Sequence, residues 1–276
     1  MEKKTDSLGD RMKGYENEYR LYLERKIPVI IRIDGKAFHT FTRGMRKPFD
    51  KILMNSMQET MKALCENIQG CVFGYTQSDE ITLVLTDYEK ETTDAWFGNN
   101  IQKMASVSAS IATVSFNKYF RREFSRYCGD NLGEPITDDE KAYRLNLYMK
   151  FETAMFDSRV FSMPKDEVCN CLIWRQQDAI RNSIEAVGQA NFSHKQLHCK
   201  TCNDIQEMLV REKGINWDDF PDECKRGSAC YRVAEETPMS NPENPSEEIL
   251  VKRNRWRVDR NIPVFTQDRD FIERWL

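Results

Sequence analysis

The hydrophobic periodicities of this chain predict an α+β fold whose middle reads β-α-β-β-α-β, a ferredoxin-like antiparallel sheet with helices packed on it. Three observations carry that reading. Short apolar runs of strand length alternate with longer stretches of helical period. Two of the runs are separated only by Gln77, Ser78, Asp79 and Glu80, which makes them a hairpin. Finally, 40% of the 276 residues are hydrophobic and 31% charged, the balance of a globular protein with a real core.

In chain order, Leu8, Met12, Tyr15, Tyr19, Tyr22 and Leu23 share one helical face. Pro28 opens an apolar run from Val29 to Ile33, read as a buried strand that Asp34 ends. Ile52, Leu53, Met57, Met61, Leu64, Cys65 and Ile68 mark a helix closed by Gly70. Cys71 to Thr76 and Ile81 to Thr86 form the hairpin, and a long helix rich in small residues is expected over 100–126. Ala154 to Met163 is a further strand, closed by Pro164, with helices expected near 165–189 and 194–213. This divides the chain into a sheet-containing domain over 1–164 and a mainly helical C-terminal region over 165–276, with one continuous domain as the alternative. Within the latter, the acidic, proline-rich stretch 234–248 reads as a linker or exposed loop.

Composition removes several classes. A net charge of −3 argues against a uniformly basic nucleic-acid coat but leaves room for a local basic surface. One candidate is the C-terminal tail, where Lys252, Arg253, Arg255, Arg257 and Arg260 surround Trp256 in a pattern able to track a phosphate backbone. There is no run of 18 apolar residues, so no transmembrane helix and no membrane partner are expected. The first residues are charged and lack an apolar stretch, and nine scattered cysteines read as reduced thiols, so the expected compartment is cytoplasmic.

The predicted topology makes the first and third strands antiparallel neighbours, which brings Asp34 to Asp79 and Glu80 at one edge of the sheet. Clustered carboxylates repel one another and call for counter-charge. Two hard divalent cations about 4 Å apart are the usual answer, able to activate an attacking oxygen and stabilise a leaving pyrophosphate. Lys36, His39, Arg43, Arg46 and Lys47 follow Asp34 closely, as a phosphate-rich ligand requires.

Five ordered motifs then resemble a known family. They are Arg32 to His39, Lys47 to Asp50, Tyr75 to Glu80, Phe156 to Val160, and Trp174 to Asp178. Together they are similar to the tRNA-histidine guanylyltransferase family of reverse (3′–5′) polymerases, over about residues 5 to 235. The resemblance implies a palm-like fold, shared with ordinary polymerases, and catalytic roles for Asp34, Asp79 and Glu80. It implies that Asp34 and Asp79 bridge two Mg2+ ions, with the Gly35 carbonyl completing one site. Nucleotide contacts are implied for Asp34, Gly35, Lys36, Ala37, Phe38, His39, Ser78 and Asp79, with Lys47 on the triphosphate. Asp157, Gln176 and Asp178 carry over as structural or functional positions. RNA contacts are expected at Arg159, Arg175 and Asn182, and on the basic tail at Arg253, Arg255 and Arg257.

One departure from the family pattern matters. Ile180-Arg181-Asn182-Ser183 stands where the eukaryotic histidine-tRNA enzymes carry His-Ile-Asn-Asn. The chain therefore looks like the bacterial and archaeal "like-protein" branch, implied to repair truncated tRNA 5′ ends by template-dependent addition. The implied activity is an Mg2+-dependent nucleotidyl transfer to tRNA using ATP and GTP or another nucleoside triphosphate, in a homotetramer. Two competitors fit parts of the pattern: a palm-fold nucleotide cyclase acting on free ATP or GTP, and a non-catalytic RNA-binding module. His194, His198, Cys199 and Cys202 have zinc-like spacings, but His198 and Cys199 are adjacent and an ordinary helix follows.

Overall fold

The computed structural model describes residues 7–131, 133, 135–240 and 248–276. Helix α1 (Ser7–Asn17) precedes strand β1 (Val29–Gly35), a short α2 (Phe38–Phe41) and α3 (Lys51–Asn67). The hairpin β2 (Cys71–Gln77) and β3 (Glu80–Leu85) follows, then α4 (Ile101–Asp130), α5 (Asp138–Tyr148), β4 (Phe156–Ser162) and α6 (Lys165–Asn191). Short helices α7 (His194–Leu197), α8 (Cys202–Met208) and α9 (Asp222–Arg226) lead to a long hairpin, β5 (Ser228–Ser240) and β6 (Glu248–Asp259), before α10 (Asp270–Glu273).

The six strands form one sheet in the order β4-β1-β3-β2-β5-β6, with every pair antiparallel. Both faces are covered, which is why β1 reads as an unbroken apolar run. Val29, Ile31 and Ile33 face the layer of α3 and α4, while Ile30 belongs to the opposite core, which includes Val168 and Leu172 of α6 and Phe265 and Ile272 of the C-terminal segment. Along α4 the buried stripe runs Met104, Ser108, Ala112, Phe116, Phe120, and its small residues let β4 come close. The Ser108 and Ser158 hydroxyls meet at 2.7 Å. Gln176 fastens the C-terminal segment to α6, donating to the Pro263 carbonyl at 2.9 Å and accepting from the Phe265 N–H at 2.7 Å.

The C-terminal region departs from the sequence reading. Residues 234–240, expected as linker or loop, are strand, and the "mainly helical" extension carries the two longest strands of the sheet. β5 joins the sheet through Gly74↔Cys230, Tyr75↔Ala229 and Thr76↔Ser228, and from Tyr231 onward its pairing is with β6. The acids of this stretch are cross-strand partners of the basic tail: Glu236 lies 3.8 Å from Lys252, and Glu235 lies 3.3 Å from Arg257. Local composition cannot show partners that sit across a hairpin. The rest of that expected loop, 241–247, and the charged residues 1–6 lie outside the described residues.

Helix α1 forms, but it ends before Tyr19 and buries none of its residues. Helix α5 is not expected from the periodicity, because Leu147 is the only one of its residues that is buried.

The entry to α3 is held by Asp50, which is 4% exposed. One carboxylate oxygen accepts from the Ile52 and Leu53 N–H groups at 3.0 and 3.2 Å. The other accepts from the Arg46 N–H at 3.0 Å and the Tyr143 hydroxyl at 2.8 Å. Asp50→Ala removes a helix cap and leaves buried donors unpaired, so it should cost about 3 kcal/mol. A urea midpoint unchanged from wild type would refute this role.

Candidate active site at the sheet edge

The antiparallel register places Asp34 opposite Glu80 on one side and Asp157 on the other. Residues directly opposite in neighbouring antiparallel strands have side chains on the same face. Three carboxylates therefore stand in a row at the end of the β1, β3 and β4 strands. Like charges in such positions oppose sheet formation unless something else answers them. Asp34 and Glu80 belong to the expected cluster, whereas Asp157 joins it through β4. The motif around Phe156 held the signal: pairing β4 antiparallel to β1 sets Phe156 opposite Gly35 and Asp157 opposite Asp34.

Asp79 comes from the tight β2–β3 turn. Its carbonyl accepts from the Gly35 N–H at 3.1 Å, so the turn and the end of β1 are tied backbone to backbone. Its carboxylate accepts from the Ser78 hydroxyl at 2.9 Å. Ser78 has φ 50° and Ala37 has φ 56°, both in the left-handed region that costs a non-glycine residue energy. Gly35 is required by close approach, since a Cβ there would lie 2.3 Å from the Phe38 ring. Phe38 is itself buried against Phe41, Phe116 and Phe156, so the aromatic core sets where the loop after Asp34 runs.

Burial is the main cause raising the Asp34, Asp79 and Glu80 carboxyls above their ordinary values. Asp157 adds repulsion at Asp34, and Asp34 adds it at Asp79 and Glu80. Glu80 is the one with firm cationic partners: Arg175 Nη1 lies 3.0 Å away and Arg32 Nε 4.0 Å. Arg175 also reaches Asp178 at 3.5 Å and is 7% exposed, so it is a buried strut beneath the acids.

Among the described residues, no three His, Cys, Asp or Glu side chains are gathered tightly enough to cage a metal alone. The donor set suits Mg2+, which binds through one or two carboxylates and keeps its remaining positions for waters and substrate phosphates. Asp34 and Asp79 would supply those carboxylates, and the buried Glu80 Oε1 lacks a hydrogen-bond partner. The hard oxygen donors of Asp34 and Asp79, which make no direct ion pair among the described residues, fit a divalent cation.

In the segment that follows Asp34, Lys36, His39, Arg43 and Lys47 are exposed, available to a phosphate-bearing ligand. A cavity of about 160 Å3 lies between the β2–β3 turn, the start of α3 and α6, lined by Pro48, Phe49, Asp50, Gln77, Ser78 and Asn182. Arg159 is exposed on the edge strand, 3.7 Å from Asp157. Arg253, Arg255 and Arg257 occupy alternate positions of β6, hence one face of the long hairpin. His194 and His198 line a separate cavity of about 500 Å3 beyond the end of α6.

Comparison with known proteins shows the family and the fold. A family model described as "Thg1: tRNAHis guanylyltransferase" matches residues 9–164. The chain is 27% identical to a probable tRNA(His) guanylyltransferase of Drosophila melanogaster, covering 74% of this chain and 66% of that protein. A solved bacterial tRNA(His) guanylyltransferase (Thg1)-like protein in complex with ATP is 42% identical, with 98% of both chains covered and a TM-score of 0.79. A bacterial Thg1-like protein in complex with GTP is 41% identical, covering 98% of this chain and 99% of that one, at a TM-score of 0.75. The Saccharomyces cerevisiae tRNA(His) guanylyltransferase structure, at 22% identity, 86% and 95% coverage and a TM-score of 0.59, shares the fold.

Proposed function

Because the chain belongs to the tRNAHis guanylyltransferase family, whose members are nucleotidyltransferases, we propose that it extends tRNA at the 5′ end in the 3′–5′ direction. The observation that carries this is the convergence of Asp34 and Asp79, from the end of β1 and the β2–β3 turn, followed in the chain by exposed Lys36, His39, Arg43 and Lys47. In the first step an oxygen of the RNA 5′-monophosphate attacks the α-phosphorus of ATP, and pyrophosphate leaves. In the second, the 3′-hydroxyl of an incoming nucleoside triphosphate attacks the activated 5′ phosphorus, and AMP leaves. A triphosphorylated end skips activation and releases pyrophosphate.

Asp34 and Asp79, with the Gly35 carbonyl, would hold Mg2+. When bound, the ions neutralise phosphate charge and stabilise the leaving group. The protein's own part is positioning, which supplies much of what phosphoryl transfer needs. Lys36, His39 and Lys47 face the triphosphate in this reading, and Ser78 orients Asp79. The reading includes a homotetramer, consistent with the exposed apolar side chains of Leu8, Met12, Tyr15, Tyr19, Leu21 and Tyr22.

Labelled ATP and GTP, supplied with and without 5′-monophosphorylated RNA, test the reading against its competitors. Label transferred to the RNA 5′ end is the expected result. A cyclic nucleotide formed without RNA would replace it with a cyclase, and RNA binding without any product with a binding module.

The basic hairpin provides a second check. Each phosphate contact contributes roughly one unit to the salt slope of RNA binding. Glu235 lies near both Arg255 and Arg257, at 4.0 and 3.3 Å, so part of their charge is already answered. Replacing Arg253, Arg255 and Arg257 by Gln should lower the slope by about one to three units and spare affinity for free nucleotide. An unchanged slope and affinity would make the hairpin a solvated ion-paired arm.

A further inference from the structure

Beside the carboxylates lies a second group of side chains that the proposed chemistry does not use. Arg32 stands two residues before Asp34 on β1, on the same sheet face, and its partner in β4 is Arg159. The row of facing acids is thus followed by a pair of facing arginines. Each arginine leans on a neighbouring acid, Arg32 on Glu80 at 4.0 Å and Arg159 on Asp157 at 3.7 Å, so the pair sets positive charge directly beside the acid row. Beneath it, Arg32 Nε, Glu80 Oε1, Thr82 Oγ1 and Arg175 Nε are buried without hydrogen-bond partners. They are four of the six such side-chain atoms among the described residues, concentrated at one spot.

Over this spot lies Trp174 of α6. Its ring is stacked by the Arg175 guanidinium, 3.6 Å from the centroid, with the Arg32 guanidinium at 5.6 Å. Even so, Trp174 remains 52% exposed. A cation thus braces an indole that is still open to solvent. Such a ring loses little further entropy when a flat partner stacks on it.

We propose that Trp174 is the stacking platform for the 5′-terminal nucleobase of the RNA, with Arg32 and Arg159 answering its phosphate charge. The inference rests on the nucleotidyl-transfer reading above and adds a contact that places the reacting end. Two strand steps separate Arg32 from Asp34, about 7 Å along β1. That is of the order of the reach from a nucleotide's phosphate to its own base. With the Arg32 guanidinium 5.6 Å from the Trp174 ring, a terminal base stacked there would lie on the same sheet face as the acid cluster, with its phosphate directed towards it. Stacking on an aromatic ring is tolerant of base identity, as an enzyme extending different ends requires. Trp174 could instead act only as a cover for the buried arginines, and the experiment below separates the two roles.

Binding is measured with a hairpin RNA bearing a 5′-monophosphate, and with the same RNA whose 5′-terminal nucleotide is abasic. Wild type should bind the intact RNA about tenfold more tightly than the abasic one, with quenching of tryptophan fluorescence. Trp174→Leu should bind both RNAs equally, at the weaker affinity, while its affinity for ATP alone stays at the wild-type value. Trp174→Phe, which keeps a ring and much of the packing, should recover most of the discrimination. If wild type binds the two RNAs equally, or Trp174→Leu still separates them tenfold, the platform is overturned while RNA binding stands. If wild type binds neither RNA, the platform and the nucleotidyl-transfer reading fall together. A mere cover predicts a lower melting temperature for both variants with discrimination intact, which also overturns the proposal.

Discussion

Asp79→Asn should lower nucleotide addition by roughly 10³-fold or more in Mg2+ while leaving the fold intact. The magnitude follows from losing several kcal/mol of stabilisation where phosphoryl charge develops, at about 1.4 kcal/mol per factor of ten. Asn keeps the size of Asp79 and an oxygen for the 2.9 Å contact with the Ser78 hydroxyl, so the β2–β3 turn has no reason to move. Near-wild-type turnover for Asp79→Asn, or for Asp34→Ala, would remove the two carboxylates from the chemistry.

The same site gives a stability signature of opposite sign. In the folded chain the Asp34 and Asp79 carboxyls lie above 3.8 and that of Glu80 above 4.5, burial being the leading cause in each. The folded state thus holds these protons more tightly than the unfolded one, and ionising the groups costs folding stability. That cost is absent below the unfolded values and complete once pH has risen past the folded ones. Metal-free protein should therefore gain stability from this site as pH falls from neutrality towards the folded carboxyl values. At neutral pH, Mg2+ should raise the melting temperature of wild type, and metal-free Asp79→Asn should melt no lower than metal-free wild type. A melting temperature indifferent to Mg2+ in wild type would argue against a cation at these acids.

Much of this edge was legible in the sequence, for a topological reason. Once two helices and four strands are ordered βαββαβ, the antiparallel pairing of β1 with β3 follows, and Asp34 must meet Glu80. Asp157 was harder to place, because its role depends on which strand β4 pairs with, and its motif shows only an apolar run with alternating polar residues. Arg175 shows the limit most clearly. As a residue type it reads as an RNA contact, yet its guanidinium is spent on Glu80 and Asp178 and turned inward. Sequence shows a charge; only packing shows which way it faces. Helix α5 escaped for the opposite reason. Its outer face is polar, and its anchoring comes through Tyr143 to Asp50 and through Glu140 to Arg46, contacts 93 and 94 residues apart in the chain.

The identity of the nucleotide added should follow the RNA template. The segment Ile180 to Ser183, read from the resemblance as departing from the polar motif of the histidine-tRNA enzymes, makes contacts within the protein. Arg181 and Asn182 both turn to Asp178. The Ser183 hydroxyl shares its one proton between the Ile180 and Lys225 carbonyls, at 2.7 and 3.1 Å, and accepts from the Trp217 indole at 3.1 Å. With Arg181 paired to Asp178 and Ser183 tied to the backbone, Asn182 is what this turn of α6 offers to the cavity beside Ser78, and a single amide reads base identity weakly. Selection then passes to pairing of the incoming nucleotide with the opposite strand. A mispaired nucleotide places its 3′-hydroxyl badly against the activated phosphate, and a displacement of about 1 Å costs on the order of 100-fold in rate. The measurement uses a tRNA lacking its first 5′ nucleotide, with each of the four bases in turn opposite the gap. The preferred nucleotide should change with that base, by about 100-fold over each mismatch. Addition of G whatever the opposing base, and only to histidine tRNA, would show that the protein itself reads the end, and that Arg181, Asn182 and Ser183 are not the reason it cannot.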